Sequence, residues 1–407
     1  IIGRTQCTPN HPVGLYLHWP YCETKCGYCD FYSVPLDGRD PAPMAQALCQ
    51  ELSWRLDQPG AEIASVFFGG GTPTTLATEH LATVLAAIRS AVGTGRNVEF
   101  TVEANPATVD AAKARALVDA GVNRVSLGAQ SFHARELAFL ERLHSPKEVH
   151  EAVTVLHRAG LTNLNLDLIF GIPGQTLAGW QETLARTLAL EPTHVACYGL
   201  TYEPGTSLTR QLRTGTVRRC DETLEHDLYL AAVETLTGAG FAHYEISNFA
   251  QPDLACAHNL IYWRCQPCLA IGPSATGFTG AARYKNVAGH HEYMRRVLAG
   301  EDPAQDFESV DRETLALELL LMGMPLPAGL AFSEFAQRTG TDLRVAAQAS
   351  LERLAANGLI ACDEHGLRLT ETGRLVADGV IAELALALDP AAGGALPVVQ
   401  TQTAPPR

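Results

Sequence analysis

Residues 14–32 read GLYLHWPYCETKCGYCDFY. The apolar run from Gly14 to His18 has the length and character of a buried strand, and Pro20 stops it and starts a loop. Cys22, Cys26 and Cys29 follow on that loop, with three residues between the first pair and two between the second. Three thiolates on one loop at a strand end can converge on a single metal centre. Thiolates are soft ligands that suit iron–sulfur clusters and zinc. Structural zinc sites usually close with four ligands, and Asp30 and Phe31 follow Cys29 where a nearby fourth Cys or His would be needed. A three-thiolate centre keeps one metal position open for chemistry or for a ligand. The competing readings are three ordinary loop cysteines, or a zinc knuckle completed by a distant residue.

The surroundings of this loop narrow the class of protein. The chain has 407 residues, beyond the usual size of a single core, so one large domain with smaller ones attached is expected. Hydrophobic residues make up 46% and charged residues 18%, the balance of a soluble globular protein. No apolar run is long enough to span a bilayer. The opening IIGRTQCTPNHP has no long apolar core of the signal-peptide kind. Eleven cysteines without such a signal point to a reducing compartment, hence a cytoplasmic location, where thiols lie buried or bind metals. The net charge of −14 argues against a nucleic-acid partner, because phosphate contacts need a basic surface.

A strand-then-helix rhythm runs from the cysteine loop to about residue 200. Strands are expected at Gly14–His18, Ser65–Phe68, Val98–Glu103, Arg124–Gly128, Asn163–Ile169 and His194–Tyr198. Helices are expected at 43–57, 78–92, 108–120, 146–159 and 176–190. In the last of these Leu177, Trp180, Leu184 and Leu188 face inward. Such alternation demands a parallel sheet with helices outside it. Pattern alone leaves an open sheet and a partial barrel undecided. Helix Glu222–Leu236 and a strand in HYEISNF come next. From about Val310 the pattern changes to three helices, near Leu315, at Phe332 and at Val345–Asn357, followed by a small hairpin at 358–369.

Ligands of parallel α/β sheets bind at the carboxyl ends of the strands, so the residues just after each strand carry the most information about function. Gly69-Gly70-Gly71-Thr72-Pro73 succeeds the second; its bare backbone can approach a ligand closely, or it is a tight turn. Glu103 closes the third strand; it can accept from ribose hydroxyls, or be a solvated acid or helix cap. Gln130 and Ser131 come after the fourth, as site residues or as a turn and N-cap. Asp167 lies in the fifth among apolar residues, where a carboxylate needs a partner. Arg142 is a guanidinium fork or a surface charge. Tyr16, in the first strand, is a site residue or a core aromatic.

These segments together resemble the radical S-adenosylmethionine (SAM) superfamily. CETKCGYC is similar to its CxxxCxxC loop, and that resemblance implies a [4Fe–4S] cluster held by Cys22, Cys26 and Cys29. The open iron takes the amine and carboxylate of SAM. It implies a partial (β/α)6 barrel, with Tyr16 near the bound SAM, Gly70, Gly71 and Thr72 at its amino group, Arg142 at its carboxylate, and Glu103, Gln130 and Asp167 around its nucleoside. LYLHWPYCETKCGYCDFYS, FFGGGTP, TVEANP, NRVSLGAQSF, NLDLIFGIPGQT and HYEISNFA resemble more narrowly the branch holding the oxygen-independent coproporphyrinogen III oxidases and the HemW-type haem chaperones. The likeness covers roughly residues 13–385.

Two features divide that branch. The oxidases carry a further cysteine two positions after the third, where this chain has Phe31, and they have a longer N-terminal arm. His258-Asn259-Leu260-Ile261-Tyr262-Trp263 matches the HNxxYW motif of the chaperones. The resemblance implies haem binding there. His258 has the chemistry of an axial ligand, and Tyr262 and Trp263 offer flat apolar faces with polar tips. Asn259 belongs to the same motif. Cys256, Cys265 and Cys268 are rival iron ligands, and a lone structural histidine is the plain alternative. The expected organisation is an N-terminal arm at 1–12, the barrel at 13–203, a barrel-closing extension with HNxxYW at 204–305, a winged-helix-like domain at 306–388, and a disordered tail at 389–407. Acidic side chains outnumber basic ones in the winged-helix-like part, which reads as a lid or partner module rather than a DNA binder.

The leading expectation is a haem chaperone that passes haem to apo-proteins, membrane cytochromes among them. It would work in the cytoplasm, with peripheral contact at the inner face of the membrane as a further option and a homodimer left open. The alternative is a coproporphyrinogen III oxidase that decarboxylates propionates. Cys26→Ala is expected to abolish the visible absorption of the cluster while the far-UV spectrum stays near wild type. Loss of the fold along with the cluster would mark the loop as a structural metal site instead.

Overall fold

The computed structural model describes residues 12–56, 62–93 and 98–388. Of the expected segments, the tail at 389–407 and all but residue 12 of the N-terminal arm lie outside them.

Strand Val13–Trp19 is buried at all seven positions. It pairs in parallel with Ile63–Gly70, and the ladder continues through Glu99–Ala104, Arg124–Gln130, Leu164–Phe170 and His194–Gly199. Burial on both faces explains why these strands read as continuous apolar runs. A seventh parallel strand, Cys268–Ile271, pairs with the other edge of Val13–Trp19, with Gly14 opposite Cys268 and Leu17 opposite Ile271.

The segment expected to close the barrel does not close it. Its strands extend both edges of one twelve-stranded sheet. Asn248–Ala250 and Ala242–His243 add antiparallel beside His194–Gly199. Thr276–Phe278, Ala282–Asn286 and Ala304–Ser309 add antiparallel beyond Cys268–Ile271. The two outermost strands do not pair with each other, so the sheet is open. HYEISNF is likewise two short strands rather than one. Tyr244 N–H bonds the Asn248 carbonyl at 3.2 Å, which folds the intervening residues into a turn.

Helices cover the outer face. Helix Ala42–Leu56 buries Met44, Ala45, Leu48 and Leu52. The helix expected from 108 begins at Ala111, because the Asp110 side chain caps it at Lys113 N–H and Pro106–Thr108 forms a separate 3-10 turn. Pro146–Arg158 starts with a reciprocal capping box between Ser145 and Glu148. In Leu177–Leu188, Trp180 and Leu184 face inward as expected, but Leu177 stands at the first turn and is 36% exposed.

A second core lies in the C-terminal part, around Leu319, Leu320, Met324, Phe335, Leu354 and Leu384. Helices Arg312–Gly323 and Phe332–Thr339 precede the hairpin Ile360–Cys362 and Gly366–Leu369, and Leu330–Ala331 adds a third strand. This is a winged-helix-like α+β unit. The third helix is broken at Ala347 into Leu343–Ala346 and Gln348–Ala356.

One buried carboxylate ties the sheet extension to the barrel. Glu51 sits on the inner face of helix Ala42–Leu56, and its side chain is 1% exposed. It accepts from Arg55 at 2.9 Å, from the Tyr293 hydroxyl at 2.6 Å, from Gly272 N–H at 2.9 Å and from Asn286 Nδ2 at 2.9 Å. Arg55 in turn reaches Asp302 at 3.3 Å and lies over the Tyr284 ring. A buried charge is tolerated only when paired and hydrogen-bonded in this way. Glu51→Ala, which removes the shared acceptor of Arg55, Tyr293, Gly272 and Asn286, is expected to cost about 3–5 kcal/mol of stability. Denaturant melts beside wild type measure it, and a loss below about 1 kcal/mol would show that the carboxylate does not hold the extension.

Candidate functional site

The first strand delivers the cysteine loop to the carboxyl end of the sheet. Tyr21–Cys22 pairs briefly with Val34–Pro35, so the loop leaves and returns at one place. Within it Cys29 N–H bonds the Cys26 carbonyl at 3.1 Å, and Leu208 N–H reaches the Gly27 carbonyl at 2.8 Å. Below the loop, His18 Nε2 donates to the Tyr32 carbonyl at 2.7 Å. A carbonyl can only accept, so Nδ1 is the acceptor and takes the Tyr16 hydroxyl at 2.9 Å. Burial holds the His18 imidazole down to about 4, which keeps this tautomer neutral.

The glycine turn presses against the loop. Gly71 N–H donates to the Trp19 carbonyl at 2.6 Å and Thr72 N–H to the Tyr21 carbonyl at 2.8 Å. Gly70 N–H donates to Glu103 at 2.9 Å. Gly70 has φ +110°, and a Cβ on Gly71 would lie 2.4 Å from the Tyr21 carbonyl. Glycine is therefore required here by close approach and backbone conformation together. With three successive N–H groups used internally, carbonyl oxygens are what the turn can offer a ligand.

Cys22, Cys26 and Cys29 all line one cleft of about 470 Å³. Gly70, Gly71, Thr72, Glu103, Gln130, Arg142 and Asp167 line it too. Arg142 Nη1 approaches Cys26 Sγ at 3.7 Å and Nη2 bonds the Gly128 carbonyl at 3.0 Å, while its buried Nε has no hydrogen-bond partner. The Thr72 hydroxyl lies 3.8 Å from Cys22 Sγ. Burial pushes the Cys29 thiol up to about 12 and raises that of Cys22. A cationic iron centre offsets that cost by its own charge. Among the described residues no three Cys, His, Asp or Glu side chains gather around a single ion. A cubane cluster has no such need, since each thiolate takes a different iron. The donor set and the unpaired Arg142 nitrogen fit such a cluster with a carboxylate-bearing ligand beside it.

Tyr16 is not brought into the cleft. It is 4% exposed and packs in the barrel interior beside Phe67 and His258. His258, Asn259 and Tyr262 face the same interior, around a space of only about 20 Å³. His258 is 1% exposed; its Nδ1 meets Ser65 Oγ at 2.8 Å and its Nε2 the Tyr262 hydroxyl at 3.1 Å. Burial lowers its imidazole to about 3. In this packing neither nitrogen is free for iron. Of the four motif residues, Trp263 alone lines the cleft, and its indole N–H is buried without a partner.

Helix Ala257–Trp263, which carries the motif, is held at both ends. Glu99 accepts from the Ala257 and His258 N–H groups at 2.9 and 3.1 Å. Arg338 of the C-terminal unit donates to the Arg264 and Cys265 carbonyls at 2.7 and 2.6 Å. An acid at the N-terminus and a base at the C-terminus both suit the helix dipole. Cys265 is buried in the C-terminal core and Cys268 is buried in the sheet, so neither presents a thiol to the cleft.

Several cleft residues had no sequence signal of their own. Tyr198, Tyr229, Glu245 and Ile246 line the wall remote from the glycine turn. Burial lifts the Glu245 carboxyl to about 7, against the pull of its bonds to Ser247 N–H and Asn248. Ile246 and Leu143, 45% and 61% exposed, give the mouth an apolar rim.

Comparison with known proteins agrees with this architecture. Residues 16–187 match the Radical SAM superfamily and 310–376 the HemN C-terminal domain. The chain is 37% identical to the heme chaperone HemW of Mycobacterium tuberculosis, over 92% of this chain and 95% of that protein. It is 32% identical to heme chaperone HemW of Bacillus subtilis, over 90% and 97% respectively. It is also 32% identical to the bovine mitochondrial radical S-adenosyl methionine domain-containing protein 1, over 91% and 87%. The structure of Escherichia coli coproporphyrinogen III oxidase (HemN) superposes with a TM-score of 0.80 at 22% identity, covering 95% of this chain and 92% of that one. That likeness establishes the shared fold. With full-length relatives above 30% identity, the chain belongs to the radical SAM superfamily and, within it, to the family of the HemW heme chaperones.

Proposed function

We propose that this chain is a haem chaperone built on a radical-SAM scaffold, taking up haem and handing it to apo-proteins. The end-to-end likeness to proteins named heme chaperones carries this reading. Phe31, at the position of the oxidases' extra cysteine, and the HNLIYW segment point the same way.

In this reading Cys22, Cys26 and Cys29 hold a [4Fe–4S] cluster and the cleft beside it takes SAM. The cluster supplies an open iron for the amine and carboxylate of SAM. The turn at Gly70, Gly71 and Thr72 presents acceptors to the ammonium. Arg142 offers its unpaired Nε to the carboxylate. Glu103, Gln130 and Asp167 lie along the wall where the nucleoside hydroxyls would bond. Tyr16 acts at one remove, through His18 and the Tyr32 carbonyl that anchors the cysteine loop.

Haem meets the chain at the Trp263 side of the cleft. The indole gives a flat apolar face and an unused N–H, and Ile246 and Tyr229 line the same cleft. His258, Asn259 and Tyr262 support this wall from within. For His258 to reach iron, the helix would have to turn out and break the bonds to Ser65 and Tyr262. Apo-cytochromes of a membrane are the acceptors this reading favours, approached from the cytoplasmic side. Among the described residues no helix is long and apolar enough to cross a membrane.

Haemin titration followed by Soret difference spectra tests the reading on the reconstituted protein. Saturable binding near one haem per chain is expected. Trp263→Ala should weaken it about tenfold, equivalent to about 1.4 kcal/mol. His258→Ala should leave the Soret position unchanged. A shifted Soret band in His258→Ala would instead place iron on that histidine, and the absence of saturable binding in wild type would overturn the chaperone reading.

A further inference from the structure

A file of buried polar groups runs from the HNLIYW helix to the cleft wall. Asn259 Nδ2 meets the Tyr244 hydroxyl at 3.4 Å, and that hydroxyl meets His194 Nε2 at 2.8 Å. His194 Nδ1 lies 2.6 Å from Asn165 Oδ1. Asn165 Nδ2 reaches Asp167 Oδ1 at 2.9 Å and Ser126 Oγ at 2.7 Å. The Ser126 hydroxyl donates to Asp167 Oδ2 at 3.0 Å. His194 is fully buried, and Asn165, Ser126 and Asp167 are 2%, 4% and 5% exposed.

The chemistry of the groups sets one direction along this file. Asp167 as a carboxylate only accepts, so the Asn165 amide must turn its N–H toward it and its oxygen toward His194. That oxygen only accepts, so His194 carries its proton on Nδ1. With the ring neutral, Nε2 accepts from Tyr244, whose oxygen keeps a lone pair for the Asn259 amide. Every donor points toward Asp167, and each carboxylate oxygen receives one. The edge of Asp167 presented to the cleft is thus set by Ser126, which lines the cleft beside it, and by Asn165, His194 and Tyr244, which do not line it.

The far end of the file is an element with little slack. Only about 20 Å³ separates helix Ala257–Trp263 from the barrel interior, in a space lined by Ser126, Asn165 and Asn259 among others. A shift of the helix moves Asn259 and Trp263 together, because they stand one turn apart on the same face. We propose that Tyr244, His194 and Asn165 are positioning residues that tie Asp167 to this helix, so that haem at Trp263 and SAM at Asp167 change one another's affinity. This rests on the functional reading above, which places those two ligands. Such coupling is reciprocal by linkage, and it needs an element with two arrangements that both ligands bias. On this proposal the helix is that element, and the bonds to Glu99 and Arg338 at its ends are what either ligand would strengthen or strain.

The test measures the SAM dissociation constant of the cluster-reconstituted full chain with and without saturating haemin, and the haemin constant with and without SAM. In wild type both ratios should be equal and differ from one by at least about fivefold. Tyr244→Phe removes the hydroxyl and with it the connection, yet touches neither ligand. It should bring both ratios to one while each ligand alone still binds. His194→Gln can donate toward Asn165 and accept from Tyr244, and should keep the ratio where His194→Leu loses it. This rescue separates positioning from bulk destabilisation, and it holds the test open if Tyr244→Phe folds poorly. A wild-type ratio of one, or a ratio that survives in Tyr244→Phe and His194→Leu, overturns the proposal. Failure of either ligand to bind wild type overturns the functional reading and this inference with it.

Discussion

The close approach of the glycine turn to the end of the first strand is the constraint on which the site depends. The Trp19 and Tyr21 carbonyls accept from Gly71 and Thr72, and any side chain on Gly71 would collide with that backbone. Two neighbouring strands are thereby locked together where one ends in the cysteine loop and the other in the turn. Glu103, from the next strand, closes the set by accepting from Gly70. Three strand ends thus form one rigid rim, and the thiols and the cleft wall keep their relation because the sheet beneath them is buried along its length.

Around the helix that carries Trp263 the contacts are of a different kind. The helix Ala257–Trp263 brings His258, Asn259 and Tyr262 into an interior that also holds Arg124, Ser126 and Asn165. Each of the three helix residues is matched, His258 by Ser65, Tyr262 by His258 and Asn259 by Tyr244, and Glu99 takes the N–H groups at the helix N-terminus. Buried polar networks of this sort are stable only when nearly complete. The result is a helix whose position is specified by hydrogen bonds rather than by shape alone. Arg338 links that position to the C-terminal unit, so the second core is joined to the helix that carries Trp263 by hydrogen bonds as well as by packing.

Much of this was legible in the residues. The six parallel strands followed from their unbroken apolar runs, and the cysteine loop, the glycine turn and the acids at the strand ends marked the rim in advance. What stayed hidden has physical causes. Cys268–Ile271 is four residues long and comes directly after a proline, so nothing in its length separates a parallel strand from a loop. Glu51 looks like a solvated helix charge until Tyr293, Gly272 and Asn286, more than two hundred residues later, fold over it. Leu177 has the right spacing for the core, yet the first helical turn has not reached it. At His258 residue type points to a metal ligand, while its tertiary partners Ser65 and Tyr262 engage both ring nitrogens, a relation that no local pattern displays.

Haem transfer to an acceptor tests the central claim most directly. The reconstituted protein, loaded with one equivalent of haem, is mixed with an apo-cytochrome b, and the Soret band of the holo-cytochrome is followed in time. The account predicts that the cytochrome fills faster and more completely than from the same concentration of free haemin held by albumin. Haem that stays on the chain, or that reaches the cytochrome no better than from albumin, would contradict it.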